Sequence, residues 1–135
     1  MNDVLKVGVI GMGFVGSAVY GGFANGKTIG YAVDPKLGDQ SVTYRELSQQ
    51  GVDVVFLCLP TPSRPKLNDV DPKIVYNVLD DLRRNAFSGL VAIKSSVTPQ
   101  HLKNMIDTYS DLRIVYNPEF LTEQNAERDF KNPFF

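Results

Sequence analysis

Apolar positions along the chain follow two alternating rhythms: short, nearly unbroken runs, and longer stretches with an apolar residue at every third or fourth place. The run "VLKVGVI" (Val4 to Ile10) reads as a buried strand, and after a glycine turn a helical pattern extends from about Phe14 to Phe23. An Asn25-Gly26 turn precedes a second strand that ends at Asp34. "VDVVFLCLP" is a third, with the continuous apolar interior of a parallel strand covered on both faces. Asp71 and Pro72 then open a helix as cap and first-position proline, with Ile74, Val75, Val78, Leu79 and Leu82 as its inward stripe. "GLVAIKSS" is the fourth strand. Thr98 and Pro99 repeat the helix start, with Leu102, Met105, Ile106 and Tyr109 facing inward, and "DLRIVYN" is the fifth strand. Between the third strand and the first capped helix, Thr61 to Val70 forms the longest polar connection.

Strand, helix, strand in sequence means parallel βαβ units with right-handed crossovers, so the fold class is α/β. The expected architecture is a doubly wound parallel sheet in three layers, with strand order 3-2-1-4-5 and Phe134 as a candidate start for a sixth strand. Such sheets bind ligands beyond the carboxyl ends of their strands. The chemistry is therefore sought in the loops after Ile10, Val33, Leu59, Ile93 and Tyr116.

Composition narrows the function classes. The 135 residues fit one domain, 1–135, and the 43% hydrophobic and 21% charged content is that of a soluble globular chain. Fourteen basic against fifteen acidic residues give a net charge of −1, so no electrostatic case exists for nucleic acid or an acidic membrane surface. A single cysteine, Cys58, and a single histidine, His101, provide neither an internal disulfide nor a Cys/His zinc site, and no metal is expected. With no signal-like or membrane-spanning run in view, a cytoplasmic location is the default expectation.

Within "VGVIGMGFVGSAVY", Gly11, Gly13 and Gly16 have the G-x-G-x-x-G spacing. The spacing alone is weak, but here a strand precedes it, a helix follows, and Asp34 closes the next strand. That context is the dinucleotide fingerprint of a Rossmann domain: Gly11 for the tight turn, Gly13 for approach of the pyrophosphate, Gly16 for close helix–strand packing. Asp34 would accept hydrogen bonds from the adenosine ribose hydroxyls and repel a 2′-phosphate, which favours NAD over NADP. Cys58, mid-strand among apolar neighbours, reads as a buried inert thiol, and His101 as a solvated surface residue. "LPTPS" (Leu59 to Ser63) is either a stiff loop or a wall beside the cofactor, and the same choice holds for the hydroxyls of "KSS" (Lys94 to Ser96). Glu119 and Glu123 in "NPEFLTE" share a face if the segment is helical. They are then either a solvated acidic pair or part of the ligand edge.

Taken together, "GMGFVG", "LPTP", "IKSSV" and "YNPEFLTEQNAERDF", in this order, resemble the N-terminal domain of the UDP-glucose/GDP-mannose dehydrogenase family over essentially the whole chain. Enzymes of that family oxidise the C6 alcohol of a nucleotide sugar to a carboxylate in two NAD-dependent steps. The resemblance implies that Gly11, Met12, Gly13, Phe14, Val15 and Gly16 line the pyrophosphate. Asp34 would meet the ribose, with Lys36 replacing the basic residue that the family carries at the position of Asp39. Leu59, Thr61 and Pro62 would border the cofactor, Ser95, Ser96 and Val97 would lie near the nicotinamide, and Glu123 would reach NAD. Glu119 matches the family glutamate of proton transfer in thioester hydrolysis. Ser96 stands where the family has a threonine hydroxyl beside the reaction. Glu119, Phe120, Leu121 and Glu123 overlap the stretch that meets the sugar nucleotide. The family's nucleophilic cysteine and catalytic lysine belong to central and C-terminal domains absent from these 135 residues. The chain is accordingly expected to bind NAD without turning over a sugar nucleotide alone, the substrate half being missing or separate. The alternative is a non-catalytic Rossmann binding or interaction protein, with an exposed edge for a partner or for self-association.

Overall fold

The five apolar runs form one parallel sheet in the computed structural model, which describes residues 4–22, 28–67 and 69–118. In chain order the elements begin with β1 (Leu5–Ile10), α1 (Phe14–Gly22) and β2 (Thr28–Val33). A 3-10 segment (Pro35–Gln40), α2 (Tyr44–Gln49) and β3 (Val54–Leu57) follow. A small antiparallel hairpin of β4 (Ser63–Arg64) and β5 (Asp69–Val70) leads into α3 (Lys73–Arg84), β6 (Leu90–Ile93), α4 (Pro99–Thr108) and β7 (Arg113–Tyr116). The α/β, three-layer, Rossmann-like class is as the sequence implies. No described helix is long and apolar enough to cross a membrane.

Strand order departs from expectation. The sheet runs β2-β1-β3-β6-β7, all parallel, so the third major strand lies between β1 and β6 rather than outermost beyond β2. The order 3-2-1-4-5 is therefore corrected to 2-1-3-4-5. Burial gives the reason: Val55 and Leu57 of β3 are fully buried, whereas Ile29 of β2 is 43% exposed. The order 3-2-1-4-5 would have put the most apolar strand at an edge and a half-polar one inside, against the burial that a parallel sheet demands. The expected sixth strand at Phe134 lies outside the described residues.

Alternation along the strands builds the layers. Ile10, Val55, Leu57, Val91 and Ile93 face one side and pack against Leu47 of α2, Val75, Leu79 and Leu82 of α3, and Met105 of α4. Val7 and Val9 face the other side, the side of α1 and its buried Val19. Helix α2 is held by Leu47 and by a capping box. Thr43 Oγ1 accepts from Glu46 N at 3.1 Å, and Glu46 Oε1 accepts from Thr43 N at 3.2 Å. Helix α4 starts as expected, with Thr98 accepting from His101 N and Pro99 first in the helix. Helix α3 starts one residue later than expected: Pro72 precedes it, and Asp71 Oδ1 accepts from Lys73 N at 3.0 Å. Ile106, expected to face inward, is 46% exposed.

Because β2 and β3 flank β1, successive crossovers leave β1 in opposite directions. This makes the carboxyl ends of β1 and β3 a topological switch point, where a crevice must open.

Candidate cofactor site

A cleft of about 700 Å³ occupies that crevice, a size suited to a cofactor. It is bounded by the glycine turn after β1, by Asp34 to Lys36 after β2, by Cys58 to Thr61 after β3 and by Lys94 to Ser96 after β6. Tyr44 of α2 and Ile74 and Val78 of α3 supply apolar surface on one side.

Two of the three motif glycines are required by the protein itself. Gly11 has φ +95°, and a Cβ there would lie 2.4 Å from the Cys58 carbonyl oxygen. At Gly16 a Cβ would lie 1.7 Å from the Gly11 carbonyl oxygen and 3.4 Å from Cys58 Cβ, so the start of α1 rests directly on the turn and on β3. Gly13 is different: a Cβ would meet nothing within 4 Å, and no positive φ demands glycine. Gly13 borders the cleft, where added side chains narrow the room for a ligand. Helix α1 begins directly after Gly13, so its unpaired first-turn N–H groups and positive dipole end belong to the same corner. These features fit a diphosphate.

Asp34 sits at the other wall, 8% exposed. One carboxylate oxygen accepts from Met12 N of the glycine turn, and the other accepts from Lys36 N at 2.9 Å. These two backbone bonds, Lys36 first, hold its carboxyl below the usual value of 3.8 against the opposing effect of burial, and the Lys36 charge adds to them. The carboxylate thus stays ionised and fixed, with lone pairs left for two hydroxyls. Tyr44 is pushed up to about 12, by burial and then by the charge of Asp81, and stays a neutral phenol.

Ser95 is 7% exposed, and its hydroxyl serves the fold: Oγ accepts from Leu59 N at 2.8 Å and donates to Leu57 O at 3.2 Å. With Lys94 N and Ser95 N both donating to Leu57 O, it ties the end of β6 to the end of β3. Ser95→Ala is expected to cost about 1–2 kcal/mol, the loss of two partly buried hydrogen bonds, read as a lower urea midpoint at unchanged m-value. Ser96 is exposed at the cleft mouth.

Of the expected cofactor residues, the structure gathers Gly11, Gly13, Asp34, Lys36, Leu59, Thr61, Ser95 and Ser96 around the cleft. Met12 contributes through its backbone bond to Asp34. Gly16 lies under the turn. Pro62 does not line the cleft; its carbonyl accepts from Asp71 N at 2.7 Å, closing the hairpin. Val97 is a core residue, its N–H and carbonyl both bonded to the Tyr116 hydroxyl. Phe14 and Val15 lie in the first turn of α1. Glu119, Phe120, Leu121 and Glu123 lie outside the described residues.

Sequence reasoning placed Ile74 and Val78 in the core, yet both border the cleft, with Ile74 38% exposed. It also passed over Tyr44 and Lys94. The signal for Lys94 was legible: it is the first charge after an apolar strand, at the ligand edge of the sheet. Cys58 is half-buried at the foot of the turn rather than wholly enclosed. His101 is not the solvated surface residue its helix position implied. Its side chain is 15% exposed, with Nε2 3.3 Å from Asp69 Oδ2, which Arg64 also meets at 2.8 Å. Asp69 is held below its usual value first by the Val70 N–H and then by Arg64. The reason is tertiary: the hairpin folds against the start of α4.

Residues 32–134 match the family model described as UDP-glucose/GDP-mannose dehydrogenase family, NAD binding domain. The match begins after the glycine turn and includes Asp34 and the loops after β3 and β6. UDP-glucose 6-dehydrogenase of Rickettsia typhi is 35% identical over 89 residues, covering 62% of this chain and 20% of the relative. The chain therefore spans about a fifth of the length of that curated relative. In fold, the chain is similar to a UDP-glucose dehydrogenase from Pyrobaculum islandicum, with TM-score 0.75 at 21% identity, over 98% of this chain and 40% of that one. It is also similar to a Mycobacterium tuberculosis 3-hydroxyisobutyrate dehydrogenase, with TM-score 0.69 at 15% identity, over 93% and 44%.

Proposed function

This chain belongs to the UDP-glucose/GDP-mannose dehydrogenase family through its NAD-binding domain, and from that premise we propose that residues 1–135 are one domain forming the cofactor half of a nucleotide-sugar 6-dehydrogenase. The observation that carries the reading is the contrast among the glycines. Gly11 and Gly16 are accounted for by packing, while a Cβ on Gly13, which borders the cleft, would meet nothing within 4 Å. In this reading the N–H groups at the start of α1 hold the diphosphate and Asp34 takes the adenosine ribose hydroxyls. Pro35, Tyr44, Ile74 and Val78 supply the apolar slot for the adenine. Thr61 and Ser96 border the reacting end. NAD supplies the hydride acceptor for oxidation of an alcohol carbon. Glu119 would handle a proton there, and Phe120, Leu121 and Glu123 would reach the sugar nucleotide and cofactor. A substrate portion completing the site is part of the proposal, as is the absence of turnover by these residues alone. Cys58, packed beneath the glycine turn, is not placed as the nucleophile.

Ligand-dependent thermal unfolding tests the reading. Bound only to the folded state at 100 times its dissociation constant, NAD stabilises by about 2.7 kcal/mol, so the melting temperature should climb with NAD and stay nearly flat with NADP. An unchanged melting temperature at millimolar NAD sinks the proposal. NADH formation from UDP-glucose by the purified chain would refute the absence of independent turnover.

A further inference from the structure

Two loops border the cleft on the side away from Asp34: the one after β3, with Thr61, and the one after β6, with Ser96. Ser95 ties them at their base, its hydroxyl meeting Leu59 N and Leu57 O. Beyond that tie they diverge. The first runs through Pro60 and Pro62 into the β4–β5 hairpin, which closes where Pro62 O accepts from Asp71 N at 2.7 Å. The second runs into α4, whose cap Thr98 accepts from His101 N.

The two paths meet again at Asp69. Its Oδ2 accepts from Arg64 Nη2 at 2.8 Å within the hairpin and lies 3.3 Å from His101 Nε2 on α4. His101 Nδ1 is buried, with no hydrogen-bond partner among the described residues. The ring hydrogen is therefore assigned to Nε2, towards the carboxylate, in either charge state of the imidazole. Two-residue strands do not hold a hairpin in place by themselves, so its position depends on what it docks against. The first turn of a helix begun by a threonine cap and a proline is a firm anchor. Pro62 and Pro60, with φ fixed by their rings, carry that position back to Thr61.

Resting on the NAD-binding reading above, we infer that the Asp69–His101 contact is an outer clasp that sets the spacing of the loops after β3 and β6, which makes Asp69 and His101 positioning residues for the nicotinamide end of the cofactor. Neither side chain borders the cleft; they act through Thr61 and Ser96, which do. Asp34 follows β2, which β1 separates from β3 and β6, so the adenosine end is outside the reach of the clasp.

The test is the pair of dissociation constants for NAD and for ADP, the latter a probe of the adenosine end, measured on the full chain and its variants. His101→Ala should weaken NAD about three- to fivefold, the scale of a partly exposed ion pair, and leave ADP affinity unchanged. Alanine is a good helix former, so α4 itself is not at risk. Asp69→Ala should do the same, and the double variant should bind NAD no more weakly than the weaker single one, because an open clasp cannot be opened twice. His101→Gln keeps an N–H donor for the carboxylate and should restore NAD affinity. Should Asp69→Ala fail to fold, the two His101 variants carry the test. Unchanged NAD affinity in His101→Ala overturns the inference. So does an equal loss of NAD and ADP, which would mark a purely structural contact, or additive losses in the double variant. Failure of the unaltered chain to bind either ADP or NAD would instead overturn the reading beneath it.

Discussion

Gly16→Ala should cost about 3 kcal/mol of stability, at the upper end of what overpacking a tight contact does, and Gly13→Ala should cost nothing measurable. The first places a methyl where only 1.7 Å separates it from the Gly11 carbonyl oxygen, a backbone atom that cannot rotate away. Either α1 lifts off the turn or the turn itself deforms. The second places a methyl in open space on backbone that alanine can adopt, and trading glycine for alanine there even restricts the unfolded chain slightly. For NAD binding the two converge. Gly13→Ala should weaken it roughly 30-fold, equivalent to about 2 kcal/mol, because the methyl stands where the diphosphate must come close. Urea unfolding and NAD titration of both variants read this directly. A Gly13→Ala protein that binds NAD as well as the parent would remove the ligand-based explanation for that glycine.

Asp34→Asn should abolish the preference for NAD over NADP and weaken NAD about 10- to 30-fold, the value of charge-assisted hydrogen bonds to two hydroxyls less what an amide can replace. The pH dependence follows from the same residue. The folded-state value of the Asp34 carboxyl is lowered beneath 3.8 by the Lys36 and Met12 N–H groups, so ionisation of Asp34 favours the folded, binding-competent chain. That contribution is complete above the unfolded value near 3.8 and is lost as pH falls through the lowered one. NAD affinity attributable to Asp34 should therefore be flat from neutrality down to about pH 5 and should decline only in more acidic solution. The Asp34→Asn variant, with no carboxyl to protonate, should show no such decline. A fall in affinity centred near pH 6 would assign the titration to some other group.

Much of this was legible before the structure. The glycine spacing, the strand before it and Asp34 after the next strand located the switch point, because a tight turn after β1 and close packing of α1 on it require glycine at Gly11 and Gly16. The strand order was not read correctly. Counting strands does not say on which side of β1 the third one lands, although the apolar continuity of "VVFL" against the half-polar "TIGYAV" pointed to the centre. Helix α2 went unread although Thr43 and Glu46 spell its capping box, since six residues with one buried leucine make a faint periodic signal. The hairpin hid in what looked like a polar loop: two-residue strands have no detectable alternation, and only the Arg64–Asp69 pair marks them. Ile74 and Val78 show the limit of periodicity. An apolar stripe on a helix states that a face avoids water, but not whether side chains or a ligand covers it.

Calorimetric titration of the purified chain with NAD, followed by NADP, tests the central claim most directly. The glycine turn and Asp34 at the switch point predict saturable one-to-one binding of NAD, with NADP at least roughly tenfold weaker because a 2′-phosphate would meet a fixed carboxylate. Absence of heat with either nucleotide from a cooperatively folded chain, or equal affinity for both, would contradict it.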